Sequence, residues 1–199
     1  MKEAQRNLEK LGYIVRTFET KEAAADYLDA QIDGKIVGLG GSVTLMELGV
    51  YDRLQAHNTV FWHLPLTERA EIAQARLAAS RAEVYVTSAN ALSIMGEIVN
   101  IDNTGNRVAA ATFGCEKVYF VIGKNKLCPT LEAAIHRARN VAAPQNARRL
   151  GLATPCAANA DRCYDCDSPQ RICRNLSVFW KRPTGCDYEV LLIAEELGF

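Results

Sequence analysis

The sequence predicts an α/β protein with an open, mostly parallel sheet. Short apolar segments rich in β-branched and aromatic residues alternate with helical patterns along the chain. The apolar residues in these segments are consecutive, which is typical of strands buried on both faces of a parallel sheet. The 199 residues, 49% of them hydrophobic, suit a sizeable core, so we expect one domain over residues 1–199.

The N-terminal half alternates helices and strands. Two helices are expected within residues 1–32, over 2–11 and 21–32, and Thr20 is a suitable N-cap for the second. A buried strand over 35–39 then leads into a glycine-rich loop and a helix over 43–54.

The remaining elements continue this alternation. Thr67 is expected to cap a helix that ends near Ser80, and Thr130 a helix that ends before Pro144. The remaining strands are predicted at 60–64, 83–87, 97–101, 117–122 and 188–194.

The charge balance excludes some classes of partner. The chain has 23 basic and 23 acidic side chains, so no overall field favours nucleic acid or a membrane surface. The N-terminus lacks the apolar core of a secretory signal, and no run reaches the ~18 apolar residues of a membrane span. We therefore expect a cytoplasmic protein that binds neither nucleic acid nor membrane. Residues 135–182 are locally basic, which suits an anionic ligand, an acidic partner or a solvated face.

Four of the seven cysteines lie close together in the sequence. Cys156, Cys163, Cys166 and Cys173 fall within the segment 154–175, which is too poor in aliphatic residues to bury a core of its own. A Cys-x2-Cys pair places two sulfurs on one turn, where they can bind Zn²⁺ or one edge of an iron–sulfur cluster. Because clustered cysteines in a reducing compartment are more often ligands than disulfides, we predict a metal site inserted between the last helix and the last strand.

The other three cysteines and the three histidines form no motif. Cys115 and Cys128 are expected to be buried, and Cys186 lies apart from the four clustered cysteines. No HExxH or GxSxG pattern occurs, so the sequence does not define a catalytic residue.

The glycine-rich loop Gly40-Gly41-Ser42 is the first candidate for ligand binding. It lies between a predicted strand and a predicted helix, where backbone amides can approach an anion. Thr44 adds a second hydroxyl and Glu47 follows on the helix. The loop lacks the lysine of a P-loop and the spacing of a dinucleotide-binding turn. A tight turn capped by Ser42 explains the same residues without a ligand.

Polar residues between 87 and 107 form the second candidate. Asn90, Glu97, Asn106 and Arg107 surround a predicted strand, and an arginine near a strand end suits a carboxylate or phosphate. Strand alternation places Glu97 and Asp102 on opposite faces, which argues against paired-carboxylate hydrolysis. Ordinary turn chemistry is the alternative.

The third candidate follows the strand at 117–122. Asn125 and Lys126 lie at its end, where ligands bind in open α/β sheets. Lys126 could neutralise an anion, or form a Schiff base if it is desolvated.

Several segments together resemble the LUD-domain family, the lactate-utilisation family that includes the B and C components of the bacterial L-lactate oxidation system. The resemblance covers nearly the whole chain, and the length and cysteine-bearing tail suggest a stand-alone member similar to the C component. The segments that carry it are Gly38–Thr44 with Glu47–Gly49, Thr87–Ala91, Gly96–Arg107, Val121–Lys126 and Ala143–Ala147.

This resemblance implies a fold similar to ribose-5-phosphate isomerase and the coenzyme A transferases. It also implies a role in oxidising an organic acid, L-lactate to pyruvate, together with other lactate-utilisation subunits or as a homo-oligomer. The ligand would be a small organic acid or a phosphate-bearing molecule, and the four cysteines would hold a [4Fe–4S] cluster, with Zn²⁺ as the alternative. A binding or regulatory module with structural zinc, and a phosphosugar or coenzyme A ester enzyme, are the competing functions.

Overall fold

A computed structural model describes all residues, Met1–Phe199, and contains two sheets surrounded by helices. The strands in chain order are β1 (Ile14–Phe18), β2 (Ile36–Leu39), β3 (Thr59–Phe61), β4 (Val84–Thr87), β5 (Ala91–Ser93), β6 (Ile98–Asp102), β7 (Lys117–Gly123), β8 (Leu127–Cys128), β9 (Asn175–Phe179) and β10 (Asp187–Ile193). The helices are α1 (Lys2–Lys10), α2 (Lys21–Gln31), α3 (Val43–Leu48), α4 (Val50–Leu54), α5 (Arg69–Ala79), α6 (Asn106–Thr112), α7 (Leu131–Arg137), α8 (Ala143–Arg149) and α9 (Pro155–Asn159).

The larger sheet confirms the predicted α/β class with a mostly parallel sheet. Its six strands run in the order β1-β10-β7-β4-β2-β3, and every neighbouring pair is parallel. Side chains of the central strand β7 alternate between two apolar clusters: Phe120 and Ile122 belong to one, Tyr119 and Val121 to the other. Burial of both faces explains why this strand is an uninterrupted apolar run.

A second sheet was not predicted from the sequence. Its four strands run in the order β8-β5-β6-β9, with antiparallel pairs on both sides of β6. The strand expected at 97–101 is β6 and therefore belongs to this sheet. One face of the smaller sheet packs through Leu92 and Ile98 into the cluster of the larger sheet, and Val99 packs towards α7 on the other face.

Three helices differ from the sequence predictions. The helix expected over 43–54 is two helices, because Gly49 adopts a left-handed conformation with φ 62° between them. The helix expected to end before Pro144 continues through a π-helical turn, Ala138–Ala142, into α8, whose first turn accommodates the proline. Helix α5 begins at Arg69, and Thr67 is not its cap. None of the helices has the length and apolar character that crossing a membrane requires.

The topology brings several loops to the same end of the two sheets. Strand β2 leads to Gly41 and Ser42, β4 leads to Ser88, β7 leads to Lys126, and β6 of the smaller sheet ends at Asp102. The carboxyl ends of parallel strands lie at one edge, so these residues meet there although they are distant in sequence.

We predict that Gly38→Ala destabilises the protein by roughly 1–3 kcal/mol or more, because overpacking against backbone cannot relax easily. A Cβ at Gly38 would lie 2.3 Å from the carbonyl oxygen of Ala79 on α5. The free energy of unfolding from urea titration measures the effect. Gly185→Ala is the matched control, since its Cβ would meet no atom closer than 3.8 Å; equal stability of the two variants would contradict the prediction.

Candidate functional site

A central cavity of about 370 Å³ opens where the two sheets meet. Residues from all three candidate segments line it. The fold thus brings together side chains that lie between positions 41 and 126 of the sequence. The predicted site residues that line it are Gly41, Ser42, Thr44, Asn90, Asn106, Arg107 and Lys126.

The other predicted site residues do not line this cavity and have structural contacts. The Gly40 carbonyl oxygen accepts a hydrogen bond from Trp62 Nε1 at 3.1 Å. Glu47 accepts one from the backbone amide of Gly198 at 2.8 Å, and the Asn125 side-chain amide donates to the Gly198 carbonyl oxygen at 3.2 Å. Glu97 accepts a hydrogen bond from the Ser93 hydroxyl. These contacts fix the chain segments around the cavity.

The glycine-rich loop combines a structural and a binding position. Ser42 Oγ accepts a hydrogen bond from the Leu45 amide at 3.4 Å and so caps α3, as the capped-turn interpretation expected. Gly41 lies against His63: a Cβ there would be 3.0 Å from the imidazole ring. Because Gly41 has no side chain, the His63 ring can approach the loop and form this side of the cavity.

Asn90, between β4 and β5, is hydrogen-bonded to β6 beside the cavity. Its Oδ1 accepts a hydrogen bond from the Ile101 amide at 2.7 Å, and its own amide donates to Asn100 Oδ1 at 3.2 Å. The backbone amide and Oδ1 of Asn90 are thus used by β6, whereas its side-chain Nδ2 donates no hydrogen bond within the protein. Asn90 therefore fixes the cavity wall and keeps a donor for a ligand.

Asp102 and Arg107 form a pair on the cavity wall. Asp102 accepts hydrogen bonds from the amides of Arg107 and Val108 at 3.0 and 3.2 Å, which explains why a helix begins at the predicted turn. Arg107 Nε lies 3.8 Å from Asp102 Oδ2, and Nη2 donates to the Ile101 carbonyl oxygen at 2.6 Å. The carboxylate that opposes Arg107 in the cavity is therefore Asp102.

Two further arginines line the cavity without a salt bridge. Arg76 on α5 has a buried Nε without a hydrogen-bond partner, and its Nη1 lies 3.5 Å from the Thr104 hydroxyl. Arg149 on α8 donates from Nε and Nη2 to Asn146 Oδ1 at 3.0 and 2.9 Å, and burial lowers the pKa of its guanidinium. Neither side chain has an acidic side chain as its partner, so the cavity carries uncompensated positive charge.

His63 lies close to this charge. Burial, together with Arg76 and Arg107, lowers the pKa of the imidazole to about 4. The ring is therefore neutral at pH 7, and it offers one donor and one acceptor nitrogen to the cavity.

Lys126 is the most perturbed basic group of the cavity. Only 3% of its surface is exposed, and its Nζ donates to Thr44 Oγ1 at 2.7 Å and to Ser88 Oγ at 2.9 Å. Burial, then Arg137 and Arg107, lowers the pKa of the amine to about 7, while Glu47 opposes the shift. No carboxylate lies within 4.0 Å of it. The amine is thus partly uncharged at neutral pH.

The four clustered cysteines line a second, smaller cavity, which we call the cysteine cavity. Cys163 Sγ accepts hydrogen bonds from the Asp165 amide at 3.3 Å and from Arg139 Nη2 at 3.6 Å, and Cys173 Sγ accepts one from Arg171 Nε at 3.2 Å. Donors of this kind are typical around ligating thiolates.

All seven cysteines are free thiols. No group of three or more His, Cys, Asp or Glu side chains is arranged so that it could hold a metal ion. Cys115 and Cys128 are buried, as expected, and Cys186 is half-buried away from the cysteine cavity.

Eight polar residues of the central cavity were not among the predicted site residues: His63, Arg76, Ser88, Asp102, Asn103, Thr104, Asn146 and Arg149. Ser88 follows a predicted strand, and Arg149 lies in the basic segment 135–182. Both could therefore have been predicted as site residues from the sequence. Arg76 lies on an amphipathic helix, where an arginine is indistinguishable from a solvated one in a single sequence.

The fold and the cavity define an open α/β domain with a cationic pocket between two sheets. A model of the LUD domain matches residues 1–193, and the chain belongs to this LUD-domain family, which is associated with lactate utilisation. A DUF162 family protein from Deinococcus radiodurans has a similar fold, with a TM-score of 0.55 and 13% sequence identity over 96% of this chain and 94% of that one. A comparison with curated proteins found no match.

We predict that Lys126→Met raises the free energy of unfolding at pH 7 by roughly 2–5 kcal/mol, because folding no longer has to desolvate the ammonium group or remove its proton. The folded-state pKa is about 7 and lies below the value of 10.5 for a free lysine. The destabilisation is therefore complete below about pH 7 and shrinks as the pH rises towards 10.5. Denaturant titrations of the wild type and the variant at several pH values measure the difference in their free energies of unfolding. A wild-type protein that is more stable than the variant at pH 7 would refute the prediction.

Proposed function

We propose that the central cavity binds a small organic acid through its carboxylate and that the chain serves in cytoplasmic organic-acid oxidation, of the L-lactate to pyruvate type. Membership of the LUD-domain family supports the metabolic setting. The positive charge of the cavity supports an anionic ligand. A phosphate-bearing ligand, such as a phosphosugar, is the second candidate.

The observation that carries this proposal is the unpaired Nε of Arg76. A buried donor without a partner costs free energy, and the cost is greater for a charged group. The guanidinium also lacks a salt bridge, so a carboxylate in the cavity would supply both the missing hydrogen-bond acceptor and the missing charge.

The remaining charges favour an anion as well. Arg107 and Arg149 line the same cavity, and Asp102 is the one acidic side chain among the cavity residues. Water-excluded walls strengthen the attraction between a bound anion and these guanidinium groups. A neutral sugar or amide would leave their charge unopposed.

We predict that Arg76→Met weakens binding of lactate or pyruvate by about 10- to 100-fold, the equivalent of losing a hydrogen bond to a charged group. Isothermal titration calorimetry at low salt measures this affinity, with inorganic phosphate as a further ligand. Arg69→Met is the matched control because Arg69 lies on the same helix and is exposed.

The control variant should bind like the wild type. Equal affinity of the Arg76 variant would show that the unpaired guanidinium is not the anion site. Tight phosphate binding without organic-acid binding would favour the second candidate.

For the cysteine cavity, we propose a [4Fe–4S] cluster held by Cys156, Cys163, Cys166 and Cys173. The donor set fits, since four thiols line one cavity and two of them accept hydrogen bonds from arginines. Thiolates suit either iron–sulfur clusters or Zn²⁺. The oxidative setting of the LUD-domain family favours the cluster, whereas zinc needs only the four thiolates.

The position of the cysteine cavity is consistent with electron transfer. Ala143 and Ile172 belong to the walls of both cavities, so the two sites are neighbours. A bound cluster would supply one-electron chemistry beside the anion site, and other lactate-utilisation subunits would receive the electrons.

We predict that protein purified anaerobically contains iron and acid-labile sulfide, and absorbs near 400 nm. Cys163→Ser should lose most of the iron and the absorbance, because a thiolate ligand is removed. Cys186→Ser should keep both, since Cys186 lies outside the cysteine cavity. Zinc without sulfide would establish the structural-zinc alternative, and a protein without either element would reject a metal site here.

A further inference from the structure

Lys126 combines burial, a cavity position and the absence of a counter-ion. Its Nζ lies between the hydroxyls of Thr44 and Ser88, at 2.7 and 2.9 Å, and the residue lines the central cavity. A lysine placed only for stability would have a carboxylate partner, because an unpaired buried ammonium is costly.

The groups that face Lys126 come from three helices and from the C-terminal segment. Arg107 on α6 and Arg137 on α7 both disfavour a charged amine, and Glu47 on α3 weakly favours it. Arg137 stays in place through hydrogen bonds from Nε to the Asn125 carbonyl oxygen, at 2.9 Å, and from Nη1 to that of Asn90. The chain segment at Gly198 covers the remaining side, where a Cβ on Gly198 would lie 3.5 Å from Nζ.

We propose that the Lys126 amine forms an imine with the carbonyl carbon of a 2-oxo acid whose carboxylate is held by the arginines of the central cavity. This inference rests on the proposed function, since it needs an anion site beside the amine. It adds a reactive group and restricts the ligand to acids that carry a carbonyl next to the carboxylate.

The chemistry balances without an added oxidant or reductant. The nitrogen lone pair attacks the carbonyl carbon, and the carbonyl oxygen receives a proton to give a carbinolamine. Loss of that hydroxyl as water, with one proton from nitrogen, forms the imine. The Ser88 and Thr44 hydroxyls lie within hydrogen-bond distance of Nζ, so they are placed to carry these protons.

The reaction needs the uncharged amine, and the site supplies it. With a pKa of about 7, Lys126 is about half uncharged at pH 7. A lysine with an ordinary pKa is uncharged about a thousandfold less often at that pH. At pH 7 burial therefore makes the uncharged, nucleophilic amine far more abundant at Lys126, which lines the cavity, than at a solvated lysine.

The test is reductive trapping. The whole protein is incubated at pH 7 with pyruvate and sodium cyanoborohydride, and the modified lysine is located by peptide mass spectrometry. We expect one reduced pyruvate adduct, at Lys126, and no adduct with lactate, which has no carbonyl group. Lys126→Met should abolish this adduct, and Lys124→Met should retain it, because Lys124 is exposed and lies outside the cavity.

A pH series separates a reactive amine from chance labelling. The trapping rate at Lys126 should rise through about pH 7, whereas labelling of solvated lysines should increase at higher pH only. Calorimetry on the same samples distinguishes the two proposals. Pyruvate that binds without forming an adduct at Lys126 overturns the imine and leaves the anion site intact. Absence of pyruvate binding overturns the anion site itself, and adducts spread over surface lysines overturn the imine.

Discussion

Burial of β7 on both faces fixes the position of Lys126 in the central cavity. The strand occupies the middle of the six-stranded sheet, between β10 and β4, and its side chains belong to two separate apolar clusters. A strand held in this way cannot shift its register without moving polar groups into the core. The 3-10 turn that follows it, Lys124–Lys126, therefore delivers the amine of Lys126 to a fixed position beneath the cavity.

That position is unfavourable for a charged amine, and the surrounding residues do not relieve it. Arg107 and Arg137 lie nearby, whereas Asp102 is committed to Arg107 and to the amides at the start of α6. Natural proteins retain such unfavourable groups chiefly at functional sites, where a shifted pKa or an unpaired charge is part of the chemistry. The same reasoning applies to the unpaired Nε of Arg76, which also lines the cavity. A buried amine without a counter-ion and a buried guanidinium nitrogen without a hydrogen-bond partner thus belong to the same cavity.

The sequence was sufficient for the class of fold because strands buried on both faces leave a clear apolar signal. It was insufficient for the second sheet, whose strands β5 and β8 are only three and two residues long and are defined by long-range pairing. The segment around Asn106 and Arg107 could be interpreted as a turn from its residue types. In the structure a helix begins there, because the Asp102 carboxylate caps the first amides of α6. The cavity residues could likewise be predicted only in part. Gly41, Ser42 and Lys126 could be predicted because each follows a strand. Arg76 could not, since only tertiary packing turns one face of α5 towards the cavity.

The central cavity and the cysteine cavity share part of their walls. Ala143 follows the π-helical turn that precedes α8, and Ile172 directly precedes Cys173, so both cavities are lined by one small side chain and one aliphatic side chain. A π-helical turn adds a residue to the helix and often occurs at functional sites, because it redirects the side chains that follow. Here Arg149 of α8 lines the central cavity while Ala147 of the same helix lines the cysteine cavity. Stabilising the cysteine segment alone would not require α8 to line the central cavity, whereas the electron transfer proposed above would require the two cavities to be neighbours.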